Sequence, residues 1–201
     1  MRKIWNFAMA AIVIVASAGL LAACDKDDVG TDNPWSNGEY EFAETDLTVM
    51  EVLSSISSTE VWMPSVICYY TEPDMQGEMC EVGMNNMLSG ERPSYYTFSR
   101  DMVTRYVGTL IPYPCYYIQN AFTKVDDNTY TFGNDGEYYW KIISYDETKL
   151  LIEGNTHSAF LGGIYYGYST IVLKRGTPSN PDWKDSYLTY EEFLELMENR
   201  N

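Results

Sequence analysis

Thr129-Tyr130-Thr131-Phe132, then Asn134-Asp135-Gly136, then Tyr138-Tyr139-Trp140-Lys141-Ile142-Ile143 is the stretch whose reading decides the fold. Aromatic and β-branched residues suit a pleated, half-buried strand. Asn-Asp-Gly between two such runs is a hairpin signal, because its residues tolerate positive φ. A second tight turn, Tyr145-Asp146-Glu147-Thr148, leads to a strand over 149–153, and another apolar run covers 164–174. Residues 129–174 therefore read as an antiparallel meander. Alternation assigns the faces. Tyr138, Trp140 and Ile142 share one side, and Glu137, Tyr139, Lys141, Ile143 and Tyr145 share the other. Leu150 and Ile152 oppose Lys149 and Glu153, and Ile171 and Leu173 oppose Thr170 and Lys174.

The same texture extends upstream, with strands expected over 61–71, 76–83, 94–99, 102–107 and 113–120. The chain thus reads as all-β: an antiparallel meander closing into a barrel, one face buried and one wet, with short helices at both ends. The first helix is expected over 46–57, where Thr48 and Glu51 fit a capping box ahead of Val49, Val52, Leu53 and Ile56. The second follows Thr189 and Glu192, which repeat that signature, and Phe193, Leu196 and Met197 give it one apolar face. Gly176, Pro178 and Pro181 mark a loop before it. The expected units are a leader over 1–23, an acidic flexible tether over 24–45, a barrel domain with its helix over 46–175, and a loop with a helix packing on the barrel over 176–201.

Arg2 and Lys3 precede an apolar run from Phe7 to Ala23, the pattern of a secretory signal. At ~1.5 Å per residue this run spans roughly 26 Å, short of a ~30 Å hydrocarbon core, though a membrane helix is the alternative. Leu21-Ala22-Ala23-Cys24 resembles the bacterial lipobox, in which the cysteine is lipidated and becomes the first mature residue. That resemblance implies acyl chains (palmitate among them) on Cys24 and a membrane partner. Asp25-Lys26-Asp27-Asp28 is similar to the Lys/Asp-rich export tag of Bacteroidetes surface lipoproteins, which implies the outer membrane and its outer face. An ordinary acidic linker is the other reading.

The formal charge is −16, and it falls by two more when Arg2 and Lys3 leave. Phosphate recognition needs clustered Lys and Arg, so nucleic acid is excluded as a partner. Cys68 and Cys80 lie symmetrically about Glu72-Pro73-Asp74-Met75-Gln76 and are candidates for a disulfide across a hairpin, with buried free thiols equally open. His157 is the one histidine, so triads and multi-histidine zinc sites have little to draw on. The carboxylates fall mostly at turns and on wet faces, leaving a carboxylate hydrolase as a second alternative only. No metal, cofactor or catalytic residue is expected.

Eighteen tyrosines, ten of them in five doublets, are the surplus that needs explaining. Neighbours on a strand point to opposite faces, so each doublet sends one ring inward. Tyr96, Tyr116, Tyr138 and Trp140 are the candidate ligand-binding residues of the inner face. The tyrosine hydroxyls would supply the few polar anchors of an apolar pocket. The outward rings could stack on sugars or a partner, or all could simply be core and strand formers. Trp62 in the opening strand, Tyr130-Thr131-Phe132, Tyr139-Trp140-Lys141-Ile142, Leu150-Leu151-Ile152 and Ile171-Val172-Leu173-Lys174 together resemble lipocalin-like lipoproteins of gut Bacteroidetes over about residues 58–175, with Glu60 where lipocalins usually carry Gly. The resemblance implies a barrel binding a small apolar or glycan-derived ligand without catalysis. A docking subunit using an aromatic outer face on another envelope protein is the alternative.

Overall fold

The computed structural model describes residues 40–83, 93–109 and 112–199. The expected signal peptide, Cys24, the export tag and most of the tether lie outside them. Thr48 and Glu51 form their capping box: Thr48 N–H donates to Glu51 Oε2 at 2.8 Å, and Glu51 N–H donates to Thr48 Oγ1. This starts α1 (Val49–Ser54), which is shorter than expected and buries Val49, Val52 and Leu53. Burying each is worth ~1.5–3 kcal/mol.

The strands are β1 (Val61–Glu72), β2 (Gln76–Gly83), β3 (Tyr95–Ser99), β4 (Met102–Val107), β5 (Cys115–Ala121), β6 (Thr123–Lys124), β7 (Thr129–Phe132), β8 (Tyr138–Tyr145), β9 (Lys149–Gly154), β10 (Ala159–Leu161), β11 (Ile164–Tyr166), β12 (Tyr168–Gly176) and β13 (Tyr187–Thr189). A second capping box, Thr189 with Glu192, starts α2 (Tyr190–Glu198). The run expected as one strand over 164–174 breaks at Gly167, and Gly162-Gly163, both at positive φ, turn β10 back on β11.

Among the described residues one sheet runs β13-β5-β4-β3-β1-β12-β9-β8-β7-β6, with β2 on the far half of β1. Every pairing is antiparallel except β13 with β5. The meander β7-β8-β9-β12 is present as expected. Closure is not: the hydrogen-bonded path has two ends. The ends are β13 and β6, and β5, next to the first, nearly continues into β6, because only Phe122 separates them. Phe122 is buried in the core, β6 is two residues long and pairs β7 alone, and β13 takes the outer edge of β5. The sheet curls around a single core but is not laced shut.

That core holds Trp62, Tyr96, Phe98, Phe122, Tyr130, Phe132 and Trp140, with Ile142, Leu150, Ile152, Ile171 and Leu173, and α1 plugs one end of it. The rings meet mostly edge-on, as between Tyr96 and Trp140 at 5.1 Å, the geometry that the ring quadrupole favours. Trp62 Nε1–H donates to Leu53 O at 3.1 Å, fastening α1 to β1.

Bulges correct two expectations, and a covering turn corrects a third. The β8–β9 register shifts between Ile142 and Ser144, which turns Tyr145 inward, onto the core. Its hydroxyl donates to Leu47 O. The β1–β2 register shifts between Tyr70 and Glu72, so Cys80 pairs Tyr69 while Cys68 pairs Glu81. Paired residues share a face, so Cys68 and Cys80 point to opposite sides and no disulfide joins them, which leaves the buried-thiol reading of the two. Glu153, expected on the wet face, is 2% exposed, because the β1–β2 turn covers it. There it accepts from Asp74 N–H at 2.6 Å, with Lys141 Nζ 3.9 Å away.

The outer face is also covered in two places. Cys68, Tyr70, Leu151 and Val172 lie under Tyr40, Phe42 and Met75, so the described end of the expected free tether, residues 40–45, is held on the sheet. Ala43 N–H donates to Asp146 Oδ2, and Lys149 Nζ sits 5.0 Å above the Phe42 ring. Val61, Tyr95, Cys115, Trp183 and Tyr187 form the second cover.

Candidate functional site

The end of the curled sheet opposite α1 collects polar groups among aromatic rings. β3, β4 and β5 put Tyr96, Arg105 and Ile118 side by side, and Val107 beside Tyr116. Cross-strand partners share a face, so Arg105 and Tyr116 point to the same side as the core residue Tyr96. β8 brings Tyr138 and Trp140 to this inner side, and the loop after β9 brings Thr156 and His157.

The four tyrosine and tryptophan candidates fall into two pairs. Tyr96 and Trp140 are fully buried and belong to the packed core. Tyr96 shares a 2.7 Å hydrogen bond with His157 Nε2, and Trp140 Nε1–H donates to Thr156 Oγ1 at 3.0 Å. Tyr116 and Tyr138 are half-buried. Phe193 of α2 packs on the Tyr116 ring at 4.3 Å, and Tyr190 lies 5.3 Å from it. Gly154 is required here, since a Cβ would strike Tyr139 O and the Trp140 ring.

His157, set aside in the sequence as a lone histidine, is thus a partner of the central ring. Burial, and then the nearby Arg105 charge, push its pKa down to about 3, so the imidazole is neutral at pH 7. Burial raises the Tyr96 and Tyr116 hydroxyls, and Arg105 works against it in both. Tyr138 is raised chiefly by burial, with the Glu137 carboxylate adding to it.

Two groups here went unnoticed in the sequence. Arg105 forms no ion pair among the described residues, whereas Lys124, Lys141, Lys149 and Arg175 each meet a carboxylate. Its signal was available: it interrupts Val103 and Val107 on the apolar side of a strand. Ser169 shares the inner face with Ile171; its hydroxyl is fully buried and has no hydrogen-bond partner among the described residues. An unmet buried hydroxyl costs about 1–3 kcal/mol, which no local sequence pattern reveals.

Two open grooves lie elsewhere. One of about 380 Å³ runs beside Met50, Arg100, Asp101, Phe122 and Lys124, and one of about 460 Å³ beside Phe42, Thr45, Asn128 and Tyr145. The interior between them and the aromatic end is occupied by side chains.

No protein-family model matches the chain, and no curated protein matches it. Among solved structures it is similar to a deswapped triple mutant of bovine odorant-binding protein, at 20% identity over 72% of this chain and 87% of the other, TM-score 0.33. It is also similar to a complex of bovine odorant-binding protein with undecanal, at 17% identity over 79% and 88%, TM-score 0.35.

Proposed function

We propose that this chain is a non-catalytic, lipid-anchored binding protein of a bacterial outer membrane, acylated on Cys24 and displayed on the cell surface. It takes a small apolar or glycan-derived ligand at the aromatic end of the sheet. The observation that supports this most is the gathering of Tyr96, Tyr116, Tyr138 and Trp140 at the end that α1 leaves uncovered, beside polar atoms the fold does not use. Apolar walls with a few convergent polar groups are how small ligands are held. The half-buried pair Tyr116 and Tyr138 would make the contact, with Tyr96 and Trp140 as the floor.

Native mass spectrometry of the protein purified from its own host tests the reading. A co-purifying small molecule that is lost on Tyr116→Ala and Tyr138→Ala substitution is expected. An empty protein that also fails to quench tryptophan fluorescence with any apolar probe would refute it. Anchoring is read in parallel: radiolabelled palmitate should enter the chain and should not enter a Cys24→Ala variant.

The filled interior favours a second reading, a docking subunit, since a packed core leaves the outside to do the work. Tyr165 at 63% exposed and Tyr113 at 46% would then contribute contacts. Crosslinking in intact cells to one defined envelope protein, with no small molecule in the purified chain, is its expected outcome.

A further inference from the structure

Arg105 is out of keeping with its surroundings. The chain carries 29 acidic residues against 13 lysines and arginines, so cations here have carboxylates in ample supply. Yet Arg105 sits half-buried on the inner face and meets none among the described residues. Tyr96 stands directly opposite it on β3 and Tyr116 shares its face on β5, and its charge also reaches Tyr138 and His157. With His157 uncharged, Arg105 is the positive centre of this end. Ser169, on the same inner face, adds an unused hydroxyl.

A half-buried guanidinium with no counter-ion among the described residues keeps hydrogen-bond donors that a bound anion could meet. A guanidinium presents a planar fork of donors that fits a carboxylate with two parallel hydrogen bonds. We propose that the aromatic end selects an organic carboxylate: Arg105 pairs with the ligand's anionic head, while its apolar or ring-shaped body lies against Tyr116 and Tyr138. This rests on the binding-protein reading above and narrows its ligand by charge. An acyl chain and an acidic sugar share this chemistry.

The test compares two fluorescent probes with one aromatic body. 8-Anilinonaphthalene-1-sulfonate carries an anionic head, and N-phenyl-1-naphthylamine is the same molecule without it. Both are titrated into the full chain bearing Cys24→Ser, so that no acyl group competes. The anionic probe should bind at least about ten-fold tighter, the difference one good charge-assisted pair supplies. Arg105→Gln should remove that preference while neutral-probe affinity stays within about two-fold, and Arg105→Lys should restore part of it. Displacement of the bound sulfonate by dodecanoate assigns an acyl carboxylate, and by glucuronate an acidic sugar; displacement by neither overturns the carboxylate. Equal affinity for the two probes, unchanged by Arg105→Gln, overturns charge selection but leaves the apolar-ligand reading standing. Binding of neither probe overturns both.

Discussion

At the end under α1, Trp62 and Tyr145 are anchored by hydrogen bonds to Leu53 O and Leu47 O, and Arg175 is paired with Glu60 at 2.8 Å. At the opposite end, Trp140 and Tyr96 are anchored as well, but to a loop, through Thr156 and His157. Among the described residues, Arg105 has no ion-pair partner there and the Ser169 hydroxyl no hydrogen-bond partner. The two ends use the same aromatic chemistry. They differ in whether the polar groups around the rings are satisfied by the fold itself. Satisfied groups rigidify and specify a core, whereas unsatisfied ones are costly unless something else meets them. The α1 end is built for stability, and the other end keeps polar capacity in reserve.

Substitutions can break this contrast. Trp62→Ala should have the largest effect, about 3–5 kcal/mol of lost stability, because it empties a fully buried site and orphans Leu53 O. Urea unfolding would show it, and a loss under 1 kcal/mol would mean that α1 is not fastened through this ring. Asp146→Ala comes next, at about 1–3 kcal/mol, since one buried carboxylate accepts from Thr148 N–H, Lys149 N–H and Ala43 N–H. It should also make residues 40–45 cleavable by protease; unchanged cleavage would contradict their docking.

His157→Leu should cost about 1 kcal/mol at pH 7 through the lost bond to Tyr96. Its sharper signature is in pH. The folded pKa lies at about 3, below the unfolded value of about 6.5, so between these values only the unfolded chain binds the proton. The contribution is therefore complete above about pH 6.5 and is lost as pH falls towards 3, and the variant should show a shallower acid slope. Equal slopes in both proteins would remove His157 from the buried network. Arg105→Gln should have the smallest effect, within about 0.5 kcal/mol or slightly stabilising, because no native ion pair is broken. A large loss would mean that Arg105 works for the fold, which would erase the difference between the two ends.

Much of the architecture was legible in the residues. Both capping boxes form where Thr48 and Glu51, and Thr189 and Glu192, placed them. Strands β2, β4 and β7 match their expected spans, and the tyrosine doublets do split between faces, as Tyr95 and Tyr96 show. These are local effects, set by propensity, cap chemistry and period. The candidate site was only half legible. Tyr96, Tyr116, Tyr138 and Trp140 follow from alternation, whereas the bond between Tyr96 and His157 joins residues 61 positions apart.

The sequence by itself determined the antiparallel, aromatic-rich character of this protein, its two capped helices and its acidity. Only the tertiary structure decided register and closure. A bulge in β2 separates the Cys68 and Cys80 faces, another in β8 turns Tyr145 inward, and β13 joins β5 in parallel from the far end of the chain. The physical reason is that alternation carries a side chain's face only until one extra residue enters a strand, and nothing in the local pattern announces that residue. Whether Arg105 would find a carboxylate was equally a matter of which strands became neighbours.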